Sequence, residues 1–101
     1  MDKRIQNALQ TDRLFDITTR GRKTGLTRRI EVRLYNLDGQ LLLTGLPGRR
    51  SWYANLLAHP EFTLHLKQSV QVDLPARATP ILDPQRRREI LTRLRDQQNS
   101  T

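Results

Sequence analysis

The densest chemistry in this chain lies in ten consecutive residues, Arg20-Gly21-Arg22-Lys23-Thr24-Gly25-Leu26-Thr27-Arg28-Arg29. Guanidinium groups meet phosphate bidentately, and glycines let a turn tighten until successive backbone N–H groups point at one anion. Such a segment can hold a phosphate with side chains and backbone together. Its other reading is a charged hairpin tip in water. Downstream stand Thr44-Gly45 and then Trp52-Tyr53-Ala54-Asn55-Leu56-Leu57-Ala58-His59-Pro60-Glu61. Trp52 and Tyr53 can serve as a platform for a ring or as anchors of a helix on the core. His59 is expected at a helix end and His65 on a solvent-facing strand face. Two histidines without acidic partners at ligand spacing make no metal site.

The chain has no cysteine, so it forms no disulfide, thiolate metal site or cysteine nucleophile, and redox chemistry would need a cofactor. Its net charge is +8, from 18 Lys and Arg against 10 Asp and Glu, and its pI is about 11.3. Polyanionic partners follow from that excess: nucleic acid, an anionic membrane surface or a phosphorylated cofactor. At 101 residues, 36% hydrophobic and 5% aromatic, with mean hydropathy −0.69, the chain can build one modest core. A homodimer is the expected supplement. No apolar run is long enough to span a bilayer or to serve as a leader, which makes the cytoplasm the expected compartment.

These groups must be positioned by a small set of elements. Ile5, Ala8 and Leu9 at helical spacing predict an amphipathic helix over residues 2–11. Phe15, Ile17 and Thr19 alternate with Leu14, Asp16 and Thr18, and Ile30, Val32 and Leu34 alternate with charged residues, so two strands flank the basic turn. Asp38-Gly39 before Leu41-Leu42-Leu43 signals a hairpin into a strand covered on both faces. Ser51 can cap a short helix that stops at His59-Pro60. Phe62, Leu64 and Leu66, then Val70, Val72, Leu74, Ala76 and Ala78, predict a second hairpin. Asp83-Pro84 opens a helix over residues 83–96 with Ile90, Leu91 and Leu94 as its apolar stripe. Its arginines, Arg86, Arg87, Arg88, Arg93 and Arg95, read as a solvated face or as a surface for nucleic acid or anionic lipid. The order predicts one mostly β domain with flanking helices over residues 1–101, closed as a small barrel over residues 13–79. A basic nucleic-acid-binding barrel is the competing class, but Phe15, Tyr35 and Phe62 are too scattered for base stacking.

Taken together, Thr18-Thr19-Arg20-Gly21-Arg22-Lys23-Thr24-Gly25, the later Arg28, Thr44-Gly45 and the Trp52-to-Glu61 segment resemble the F420 (deazaflavin)-dependent nitroreductases and quinone reductases, from about Phe15 to Ala78. The resemblance implies an α+β, FMN-binding-like split β-barrel that transfers hydride from reduced coenzyme F420 to a quinone or nitroaromatic acceptor, with FMN as the alternative cofactor. It places Arg22, Lys23 and Arg28 at the cofactor's phosphate and acidic tail, with Thr24 beside them, and Gly45, Trp52 and Asn55 near the deazaflavin ring. In such a site the cofactor carries the hydride while the protein orients it and excludes water. Tyr35 and Tyr53 are the phenols available to orient or protonate the acceptor. The chain departs from the family pattern in Ile30-Glu31-Val32, where a proline usually follows the arginine, in Leu46-Pro47, and in lacking the usual closing β segment after the Pro84 helix.

Overall fold

The structure, a computed structural model, describes residues 2–43 and 51–99, and for residues 51, 98 and 99 the backbone alone. The elements run α1 (Lys3–Thr11), β1 (Leu14–Arg20), β2 (Thr27–Leu37), β3 (Gln40–Leu43), α2 (Ser51–Ala58), β4 (Glu61–Leu66), β5 (Val72–Arg77) and α3 (Pro84–Asn99). The strands pair antiparallel in the order β3-β2-β1-β4-β5. With β3 and β5 as edges, the curled sheet is a half-barrel with flanking helices, the small α+β split barrel that the resemblance implies. Pro75 sits in β5, an edge strand, where a missing backbone donor costs no ladder bond on the open side.

One face of the sheet carries the core. Phe15 and Ile17 are fully buried, and their cross-strand partners are Val32 and Ile30 on β2 and Leu66 and Leu64 on β4. Each such side chain contributes about 1.5–3 kcal/mol by leaving water. α1 lays Ala8, Ile5 and Leu9 against this cluster, with Asp2 capping the helix through the Arg4 N–H at 2.7 Å. The helix stops at Asp12, whose backbone is extended. The Asp12 carboxylate is buried and accepts the Ser69 N–H at 2.9 Å and the Ser69 hydroxyl, which ties the β4–β5 turn to the start of β1.

A second, smaller cluster joins Leu37 and Leu42 of the β2–β3 hairpin to Ile90 and Leu94 of α3, with Tyr35 and Ile81 against it. The hairpin turns at Asp38 (φ 55°) and Gly39 (φ 86°), as its Asp-Gly signal predicts. α3 continues to Asn99, beyond the end expected at residue 96, because Gln97 and Gln98 are ordinary helix formers and no breaker intervenes.

The opposite face differs from expectation at His65. Alternation assigns the residue to this face correctly, but its ring is buried at 7% exposure, not solvent-facing. β4 lies between β1 and β5, and the register sets Glu31, Asp16, His65 and Asp73 side by side in one row across four strands. The neighbours on both sides enclose the imidazole: Thr18 Oγ1 lies 2.6 Å from Nε2 and Asp73 Oδ1 2.7 Å from Nδ1. In the same row Lys67 Nζ donates to Asp16 at 2.7 Å and to Glu31 at 2.5 Å, and Arg29 Nε donates to Asp16 at 2.9 Å. The Lys67 ammonium first, and then the Arg29 guanidinium, holds the Asp16 carboxyl below its usual range, while Asp16 and Glu31 raise Lys67.

Candidate functional site

The β1–β2 connection is built by its two glycines. The Gly21 N–H donates to the Leu26 carbonyl at 2.8 Å, and the Gly25 N–H to the Gly21 carbonyl at 2.9 Å. A Cβ at Gly21 would stand 2.8 Å from Thr24 Oγ1 and 3.3 Å from the Leu26 carbonyl oxygen, so the chain passes too closely there for a side chain. Gly25 has φ +74°, a conformation that other residues adopt only with strain. Thr24 Oγ1 accepts the Leu26 N–H at 3.2 Å and closes the loop from inside. Among the described residues, the backbone N–H groups of Lys23 and Thr24 meet no acceptor. Nor do the side chains of Arg20, Arg22, Lys23 and Arg28 enter an ion pair there, and all four are exposed. Unpaired cations and free backbone donors at one turn are a donor set suited by its chemistry to an anion of phosphate type.

α2 is fastened to this turn by Asn55. Its Oδ1 accepts the Arg22 N–H at 3.1 Å, and its Nδ2 lies 3.5 Å from the buried Thr19 hydroxyl. Thr19 pairs with Arg28 across the β1–β2 ladder, and directly opposite residues share a face. Arg28 therefore stands on the face to which Asn55 reaches. Glu31 belongs to the other face, opposite Asp16 and bonded to Lys67, so its charge is directed away from Arg28. Arg29 is likewise committed to Asp16.

The sequence-derived site residues thus separate into two groups. Arg22, Thr24, Arg28 and Asn55 come together at the turn, with Lys23 at its tip. Trp52 lies one helical turn before Asn55, half-buried against the main core, and meets Tyr53 edge-on at 6.0 Å and 84°. Tyr53 points to another side of α2, where its hydroxyl accepts from Arg87 Nη2 of α3 at 3.1 Å. Tyr35 packs in the cluster beneath α3. Both phenols therefore turn towards α3, and neither joins the basic turn. Gly45 lies outside the described residues. Sequence reasoning missed Thr19 as Asn55's second partner and Arg87 as Tyr53's. The Thr18-Thr19 pair gave a signal for the first, whereas Arg87 looked like any other arginine of a solvated face.

No three of the described His, Asp and Glu residues converge as metal ligands, and no described helix is long and apolar enough to cross a membrane. Residues 2–100 match the family model described as F420H(2)-dependent quinone reductase. No curated protein matches the chain. A match spanning nearly the whole sequence, on a half-barrel whose basic turn is latched to the Trp-Tyr-x-Asn helix, identifies the chain as a member of the F420H(2)-dependent quinone reductase family of oxidoreductases.

Proposed function

We propose that this chain binds reduced coenzyme F420 at the β1–β2 turn and passes its hydride to a quinone, with nitroaromatic compounds as a second class of acceptor. The observation that carries this reading is the Arg22 N–H to Asn55 Oδ1 hydrogen bond, which joins the two motifs of the sequence into one site. The donor set fits the group: Arg22, Lys23 and Arg28 offer unpaired cations to a phosphate and an acidic tail, and charge-assisted bonds of that kind are about twice as strong as neutral ones. Gly21 and Gly25 hold the turn's backbone donors open, and Thr24 braces the loop. Trp52, Asn55 and Gly45 are the residues proposed to border the ring.

When bound, the reduced deazaflavin supplies the hydride; the chain's own residues bind, orient and manage the proton. Reducing a quinone by hydride leaves an oxyanion that needs one proton. The Tyr53 hydroxyl already accepts from Arg87, so its own O–H is free to donate. A homodimer belongs to the same reading, since two small buried clusters make a modest core.

The test is oxidation of reduced F420 by the purified protein, followed spectroscopically with a water-soluble quinone and, separately, a nitroaromatic compound. Saturable turnover with the quinone, with the KM for the cofactor raised in Arg22→Ala/Lys23→Ala, is expected. Absence of turnover with either acceptor, by protein that binds the cofactor, would remove the acceptor assignment.

A further inference from the structure

The five arginines of α3 have different surroundings. Arg86 pairs with Glu89 at 3.8 Å, Arg93 with Asp38, and Arg87 with the Ile81 carbonyl and the Tyr53 hydroxyl. Arg88 and Arg95 make no ion pair or side-chain hydrogen bond among the described residues. Spaced three and four residues apart, Arg88, Leu91 and Arg95 share one flank of the helix. Leu91 is 56% exposed there, although its neighbour Ile90 is buried. Just ahead of the helix Leu82 is 65% exposed, in the segment that Arg87 fastens to α3 through the Ile81 carbonyl.

From this stripe we propose that α3 docks the protein on an anionic lipid surface. An exposed leucine set between two cations suits the boundary of headgroups and acyl chains: Leu91 enters the apolar side while the guanidinium groups of Arg88 and Arg95 stay with the phosphates. The net charge of +8 adds long-range attraction to such a surface. A nucleic acid fits the stripe less well, because Leu91 and Leu82 offer no aromatic face for a base and bury nothing against a phosphate backbone. Glu89, held by Arg86 on another flank, leaves the stripe as the cationic side that can lie flat on the surface. The docking also suits the acceptor: many quinones partition into lipid, and an enzyme held at that surface meets them where they are concentrated. This last link rests on the quinone reading under Proposed function, but the docking itself does not.

Sedimentation with vesicles tests the proposal. The wild-type protein is expected to pellet with phosphatidylglycerol/phosphatidylcholine vesicles at low salt, to be released by added salt, and not to pellet with phosphatidylcholine alone. A cation near an anionic surface is worth about fivefold in partitioning, so Arg88→Gln/Arg95→Gln lowers binding roughly 25-fold, and Leu91→Gln lowers it with the charge unchanged. Arg22→Ala/Lys23→Ala, which removes the same two charges away from α3, lowers binding far less than the α3 double variant, since it weakens only the long-range attraction. Circular dichroism checks that each variant is folded. Failure of the wild type to pellet, or equal pelleting of the wild type and both α3 variants, overturns the proposal. Tighter binding of a random oligonucleotide than of vesicles, lost in the same double variant, also overturns it and assigns the stripe to nucleic acid. Fluorescence titration with F420 is expected to be unchanged in Arg88→Gln/Arg95→Gln, so a failed lipid result and a failed cofactor result are read separately.

Discussion

Replacing Asn55 by alanine separates α2 from the basic turn without touching a cation. Two contacts go: the acceptor for the Arg22 N–H at 3.1 Å and the donor to the Thr19 hydroxyl at 3.5 Å. The Arg22 amide lies at an exposed turn, where water replaces the lost partner, so this bond costs only about 0.5–1.5 kcal/mol. Thr19 is 2% exposed; a buried hydroxyl left without a partner costs about 1–3 kcal/mol. Alanine returns about 0.5 kcal/mol of helix propensity. The balance is a loss of about 1–4 kcal/mol in urea unfolding, followed by the fluorescence of Trp52, the only tryptophan. An untethered turn must also be ordered when the cofactor binds, which weakens the affinity for F420 roughly fivefold for each 1 kcal/mol. Asn55→Asp discriminates further. It keeps the acceptor for Arg22 but adds a negative charge beside the proposed anion site, so it should be the more stable variant and the weaker binder. Should the two variants rank alike in both assays, or should Asn55→Ala match the wild type in both, the latch has been misassigned.

The Asp16 network predicts a pH window. The carboxyl is lowered from its ordinary value of 3.8, so its contribution is present above about pH 4 and is lost as pH falls through the native value. Lys67 is raised from 10.5, so its contribution is present below that pH and is lost as pH rises through the native value. Urea midpoints measured from pH 3 to 7 should show a shallower acid limb in Asp16→Asn. His65→Ala leaves the half-buried Thr18 hydroxyl without its partner and opens space in the sheet, and should cost about 2–4 kcal/mol in thermal or urea unfolding; a loss below 0.5 kcal/mol would mean that the row across the sheet contributes little. Tyr53→Phe removes the acceptor of Arg87 and the proposed proton donor together. Its expected result is a lower kcat for the quinone with the KM for the cofactor unchanged, and unaltered turnover would take the phenol out of the reaction.

Much of the architecture is legible because the core alternates cleanly. Phe15 and Ile17, Val32 and Leu34, and Leu64 and Leu66 each occupy every second position, so the inward face of three strands can be read before their pairing is known. The turn residues are equally legible, since Asp38-Gly39 and Gly25 have few alternatives at positive φ. What alternation cannot supply is the strand order. β1 lies between β2 and β4, and only that arrangement brings His65 against Thr18, 47 residues away in sequence. A histidine read from β4 alone is assigned to water. The site divides along the same line. The cations of the turn announce themselves locally, whereas the Asn55 latch spans 33 residues and the Arg87–Tyr53 contact 34. What Tyr35 and Tyr53 meet is fixed by where α3 docks, on Leu37 and Leu42 of the β2–β3 hairpin.

The claim that the β1–β2 turn holds the cofactor's phosphate and acidic tail is tested most directly by fluorescence titration of the purified protein with F420 and, in parallel, with FMN. Micromolar binding of F420, weakened by salt and lost in Arg22→Ala/Lys23→Ala while the fold is kept, is the expected result. Binding of F420 that survives the double variant, or the absence of binding by the wild type, would contradict it.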